Sequence, residues 1–88
     1  MAKKSKQLIK QLITFNQAEN NNYLNIWIEE TKQYFDHYEF GVGLEYLIEN
    51  LYEEEIKLTP EIIEKLKELM IHMNFENEDF KILENLKR

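Results

Sequence analysis

The sequence predicts an all-α protein, a small antiparallel bundle of four to five helices forming a single domain over residues 1–88. Apolar residues recur three and four positions apart along almost the whole chain, and strand-like alternation never persists. Gly occurs only twice and Pro once, so few positions interrupt a helix. The polar segments between the apolar stripes are short, which favours antiparallel neighbours.

The first helix is predicted from about Ser5 to Phe15. Its apolar stripe consists of Leu8, Ile9, Leu12, Ile13 and Phe15. The next segment, Asn16 to Asn22, holds four asparagines and few apolar residues, and it is predicted to be a loop. The second helix begins near Asn22 and reaches Asp36 or beyond. Its inward side is expected to contain Leu24, Trp27, Ile28, Thr31, Tyr34, Phe35 and Tyr38.

Both glycines lie in the segment Phe40-Gly41-Val42-Gly43, which is predicted to break the helical pattern because glycine tolerates unusual backbone angles. The third helix then runs from about Gly43 to Glu54. Its apolar stripe is Leu44, Leu47, Ile48 and Leu51.

The start of the fourth helix is the best-marked boundary. Thr59 is a strong N-cap candidate, Pro60 suits the first helical position and Glu61 complements the helix dipole. This helix is expected to bury Ile62, Leu66, Leu69, Met70 and Met73. A last short helix starts within residues 77–79 and carries Phe80, Leu83 and Leu86.

Several function classes find no support in the sequence. There is no cysteine and Ser5 is the only serine, so a nucleophilic triad has almost no candidates. A Glu-x-x-His metal pair fails because Leu69 stands three residues before His72. We therefore predict no enzymatic activity, no cofactor and no metal, with a carboxylate–metal enzyme as a remote rival.

No segment approaches the roughly 20 apolar residues of a membrane span. The N-terminus has the basic start of a signal peptide, but Lys10 and Gln11 interrupt its apolar run. The expected location is the cytoplasm, without membrane association. The four lysines of residues 1–10 are either a phosphate-binding arm or a frayed end that aids solubility.

The charge is unevenly distributed. The net charge is −6, and residues 29–64 alone carry eleven acids against Lys32 and Lys57. Such a surface repels nucleic-acid phosphates and attracts basic proteins. Direct nucleic-acid binding is therefore not expected.

The acids of the third helix form a row. Glu45, Glu49 and Glu53 recur every fourth residue, so they align and repel one another. Glu54 and Glu55 extend this row. The row is either a solvated face or a surface that a basic partner covers.

Two tyrosines flank the apolar stripe beside this row. Tyr46 and Tyr52 either pack at the boundary of the core or anchor an interface. Tyrosine suits an interface because it buries a large area at low entropic cost and keeps a hydroxyl group that can form hydrogen bonds.

The stretch from Phe40 to Leu69 resembles small bacterial immunity proteins of the MafI type and the related CdiI proteins of contact-dependent growth inhibition systems. The residues that match the family pattern are Leu44, Glu45, Leu47, Leu51, Tyr52, Glu53 and Thr59. The likeness covers about residues 34–75. A departure is the Phe-Gly-Val-Gly segment, where many members carry a Glu-Pro type turn.

The resemblance implies an immunity protein, or antitoxin, that neutralises a cognate toxin by direct binding. Toxins of these systems are often nucleases, including EndoU-type ribonucleases, whose basic sites an acidic protein can cover. On this hypothesis the acid row contacts the toxin, Tyr46 and Tyr52 anchor it, and Glu39, Glu54 and Glu55 extend the contact. The alternative is a helical adaptor or a subunit of a larger complex.

Overall fold

A computed structural model describes residues 1–88 and consists of five α-helices that contain 77% of the chain. They are α1 (Ala2–Glu19), α2 (Asn22–Asp36), α3 (Phe40–Glu53), α4 (Pro60–His72) and α5 (Asn77–Glu84). The prediction of an all-helical bundle is confirmed. None of the five helices has the length and apolar character needed to cross a membrane.

Helix α1 is longer than predicted at both ends, and the predicted asparagine loop was wrong. Only Asn20 and Asn21 separate α1 from α2. Asn16 lies on the buried side of α1, and its side-chain amide donates to the Asn21 carbonyl (2.9 Å) and to Asn25 Oδ1 (2.7 Å). Its own Oδ1 accepts from the Asn21 amide at 2.9 Å. Because these hydrogen bonds satisfy the polar group, an asparagine can occupy this buried helical position.

The bounds predicted for α2 are confirmed. Asn21 caps its first turn, with Oδ1 accepting from the backbone amides of Tyr23 (2.9 Å) and Leu24 (3.1 Å). The predicted burial of Tyr38 was wrong, since its side chain is 80% exposed. The helix ends at Asp36, and a positive φ of 59° at Tyr38 turns the chain so that its ring leaves the buried side.

The predicted break at the glycines was also wrong, because α3 already begins at Phe40 and neither glycine has a positive φ. Gly43 allows a close approach of α3 to α2. A Cβ at this position would lie 2.9 Å from Tyr34 Cβ, a distance that real Cβ atoms essentially never show, and 3.0 Å from Phe35 Cε1. A Cβ at Gly41 would meet only Met73 Cε, at an ordinary 3.5 Å.

The predicted start of α4 is confirmed. Thr59 Oγ1 accepts from the Ile62 amide at 3.4 Å, and Pro60 is the first helical residue. Met73 is only partly buried because α4 ends just before it. Helix α5 starts at Asn77, within the predicted range, and Leu86 is buried although it follows the helix.

Twenty buried apolar side chains from all five helices and their connections form one core. The C-terminus joins the α3–α4 connection, since the Leu58 amide donates to the Leu86 carbonyl (2.6 Å) and the Arg88 amide donates to the Leu58 carbonyl (3.0 Å). The Arg88 guanidinium lies 4.8 Å above the centre of the Phe15 ring. These contacts fix α5 beside the other helices.

Thr31 supplies a stability prediction. Its side chain is fully buried in α2, and its hydroxyl has no hydrogen-bond partner. Replacing an unpaired buried hydroxyl by a methyl group removes a desolvation penalty, so Thr31→Val is expected to raise the free energy of unfolding by about 1 kcal/mol. Urea unfolding measures it, with Thr14→Val on the exposed side of α1 as the control. A destabilised Thr31→Val variant would show that the hydroxyl is paired in solution.

Candidate partner-binding surface

The acid row lies on the solvent side of α3. Leu44, Leu47 and Leu51 are fully buried and fix which side of the helix faces the core. Glu45 and Glu49, with Glu53 one turn further on, are consequently exposed. Glu45, Glu49 and Glu53 therefore form an exposed row along one side of α3.

This row lines a groove of about 270 Å³ that reaches from α3 to residues in and just before α5. We call it the acid groove. Its lining consists of Glu45, Ile48, Glu49, Tyr52, Glu53, Phe75, Asp79 and Ile82. Four carboxylates thus surround four apolar or aromatic side chains. The sequence did not reveal Phe75, Asp79 and Ile82 as part of the site, because only the packing of α5 against α3 brings them there.

The carboxylates of this region have no ionic partner within the chain. All five ion pairs of the protein involve Glu19, Glu64, Glu68 or Glu84. None involves an acid from residues 29–61, although that range holds ten of them. Their mutual repulsion is therefore offset only by solvent and dissolved ions, and it would be relieved by a basic partner.

The predicted site residues divide into two groups. Tyr52 is 45% exposed and lines the acid groove beside the row, so its ring is accessible to a partner. Four of the eight predicted site residues lie outside the lining of the acid groove. They are Glu39, Tyr46, Glu54 and Glu55. The three glutamates are exposed at the two ends of α3.

Tyr46 is partly buried against α2, with its ring centre 5.8 Å from that of Tyr34. Burial raises the pKa of the Tyr46 hydroxyl from 10.0 to about 12, and the neighbouring Glu30 carboxylate adds to this rise. The ring contact with Tyr34 makes Tyr46 part of the packing between α2 and α3. Its ring is only partly exposed, whereas that of Tyr52, the other predicted anchor, is 45% exposed.

The raised pKa of Tyr46 predicts a pH dependence of stability. The folded state holds the phenolic proton more tightly than the unfolded chain, so the contribution is complete below pH 10 and is lost as the pH rises towards 12. Tyr46→Phe should therefore lose less stability than the unsubstituted protein between pH 10 and 12. Urea unfolding at several pH values measures this, and Tyr23→Phe, at a 67% exposed tyrosine, is the control. Identical pH slopes for Tyr46→Phe and the unsubstituted protein would contradict the assignment.

The two histidines are separate from the acid groove. His37 lies with Nδ1 2.8 Å from the Gln33 carbonyl, and His72 is in the last turn of α4. No group of three or more His, Asp or Glu side chains is arranged to hold a metal ion.

Comparisons with family models, curated proteins and solved structures gave no match to this chain. The structure is that of an all-helical protein with an acidic, partly apolar groove on its surface.

Proposed function

We propose that this chain is an immunity protein that binds and neutralises a cognate bacterial toxin with a basic surface. The observation that carries the proposal is the acid groove, in which carboxylates without ionic partners surround the exposed ring of Tyr52 and the partly exposed side chains of Phe75 and Ile82. Such an arrangement combines charge complementarity at the rim with apolar contact at the centre, which is the usual anatomy of a protein interface.

Arginine and lysine side chains of the toxin would pair with Glu45, Glu49 and Glu53. These charge-assisted hydrogen bonds are stronger than neutral ones. The exposed ring of Tyr52 offers both apolar area and a surface for a guanidinium group. The one-turn spacing of Glu45, Glu49 and Glu53 along α3 would then set which arrangement of toxin cations fits the row.

A nuclease is the toxin class that best fits this surface. Nuclease sites are basic because they hold phosphates, so an acidic protein can cover them as a nucleic-acid mimic. The resemblance of residues 34–75 to MafI-type and CdiI immunity proteins supports the same class, including EndoU-type ribonucleases. Inhibition would be steric and electrostatic, with no chemistry performed by this chain.

An affinity pull-down from the native strain, with mass spectrometry at low and high salt, tests the proposal. The expected result is recovery of one basic toxin fragment whose binding weakens as salt rises. Recovery of a stable housekeeping complex at either salt concentration would favour the adaptor alternative. Recovery of no basic protein at low salt would also contradict the immunity proposal.

A further inference from the structure

A second groove, of about 480 Å³, lies between α1, the end of α2 and the residues that lead into α3. We call it the lysine groove. Three lysines line it, Lys6 and Lys10 from α1 and Lys32 from α2, and Asp36 is its one acid. None of these three lysines forms an ion pair within the chain. The net charge of its lining is therefore positive, whereas that of the acid groove is negative.

The walls of the lysine groove are apolar and partly open to solvent. Ile9 and Phe35 are almost fully buried, at 7% exposed each, and they provide apolar surface within the lining. Ile13 and Tyr38 remain 44% and 80% exposed. Tyr38 packs edge-on against Phe40, with ring centres 6.2 Å apart. Large apolar side chains next to unpaired cations form a surface suited to an amphipathic ligand of negative charge.

The lysines of α1 do not stabilise the helix that carries them. The first turn of α1 contains no acid, and the lysines near its N-terminus oppose the helix dipole. Lys4 is compensated by an ion pair with Glu68, at 3.4 Å, but Lys6 and Lys10 are not. Lys6 and Lys10 are like charges one turn apart, which slightly destabilises a helix, and an acidic partner would relieve their repulsion.

The spacing along α1 indicates the shape of the occupant. Lys6 and Lys10 are one turn apart, and so are Ile9 and Ile13, so cationic and apolar positions run side by side along the helix axis. From Ala2 to Ile13 the lining covers about 16 Å at the rise of an α-helix. A second helix of about three turns matches this length.

We propose that the lysine groove binds an acidic amphipathic helix of a partner protein. Its apolar stripe would lie between Ile13 and Tyr38, and carboxylates flanking that stripe would pair with the three lysines. This is helix-in-groove recognition with an acidic ligand. It uses a surface other than the acid groove and does not depend on the identity of a toxin.

The probe is a capped synthetic peptide of about 15 residues, with leucine at the spacing of one helical face and glutamate at the flanking positions. Titration of the folded protein, followed by NMR, should shift the amide signals of Ile9, Ile13 and Lys32. The triple variant Lys6→Glu, Lys10→Glu and Lys32→Glu should bind roughly tenfold more weakly or worse. The matched control changes three exposed lysines outside the groove, Lys3, Lys81 and Lys87, to glutamate and should bind nearly as well as the unsubstituted protein.

Three outcomes would overturn the proposal. One is binding of a peptide of the same composition in scrambled order as tightly as the amphipathic peptide. Another is that the unsubstituted protein and the triple lysine variant do not differ in peptide affinity, whether both bind or neither binds, while circular dichroism shows that the variant is folded. The third is cosedimentation with phosphatidylglycerol vesicles without any peptide binding, which would assign the groove to an anionic membrane surface.

Discussion

Reversing the charge of Glu49 and Glu53 is expected to slow association with the basic partner by about tenfold or more at low ionic strength. Complementary charges accelerate encounter, and two reversals turn part of the attraction into repulsion. The difference should shrink as salt is added, because the screening length falls to about 8 Å at physiological ionic strength. Stopped-flow or surface-plasmon-resonance measurement with the recovered partner provides the association rate constants.

A matched variant separates this local effect from net charge. Glu29→Lys with Glu64→Lys changes the charge by the same amount at exposed positions outside the acid groove. This control should retain most of the association rate. If both double variants slow association equally, or if neither does, α3 is not the contact surface.

Gly43→Ala is expected to destabilise the fold, by about 1–2 kcal/mol. The added methyl group would lie 2.9 Å from Tyr34 Cβ, so α3 and α2 must separate or strain. Overpacking of this kind costs about 1–3 kcal/mol, and the better helix propensity of alanine returns up to about 1 kcal/mol. The acid row depends on α3, so the substitution should also weaken partner binding.

Gly41→Ala is the control for Gly43→Ala, because it makes the same substitution two residues earlier in the same helix. Here the new methyl group meets only Met73 Cε, at 3.5 Å. The substitution is expected to be neutral or to stabilise the protein by up to about 1 kcal/mol through helix propensity. Urea midpoints of the two variants measure the contrast. Equal midpoints would show that α2 and α3 do not approach as closely as described.

The features predicted correctly from the sequence were those set by local spacing and local caps. Thr59 and Pro60 mark the start of α4 by interactions within one turn, and the acid row follows from the recurrence of glutamate at every fourth position. The length of α1 could not be predicted in the same way. Asn16 is helical and buried because Asn21, in the connection, and Asn25, in α2, satisfy its amide.

The same limit applies to the glycine segment and to the candidate site. Gly43 was interpreted as a turn residue, but its lack of a side chain serves the packing of two helices. Tyr46 and Tyr52 were equivalent by sequence, yet one packs towards α2 and the other lines the acid groove. Asp79 joins that groove only through the docking of α5, which no local pattern specifies.

Growth protection is the most direct test of the proposal that this chain neutralises a toxin. The basic fragment recovered by pull-down is expressed in a host cell alone, with this chain, or with the Glu45→Lys, Glu49→Lys and Glu53→Lys variant. The proposal predicts that the fragment stops growth, that the chain restores it and that the folded variant does not. Growth arrest that persists in the presence of the chain, or a recovered fragment that is harmless alone, would contradict the claim.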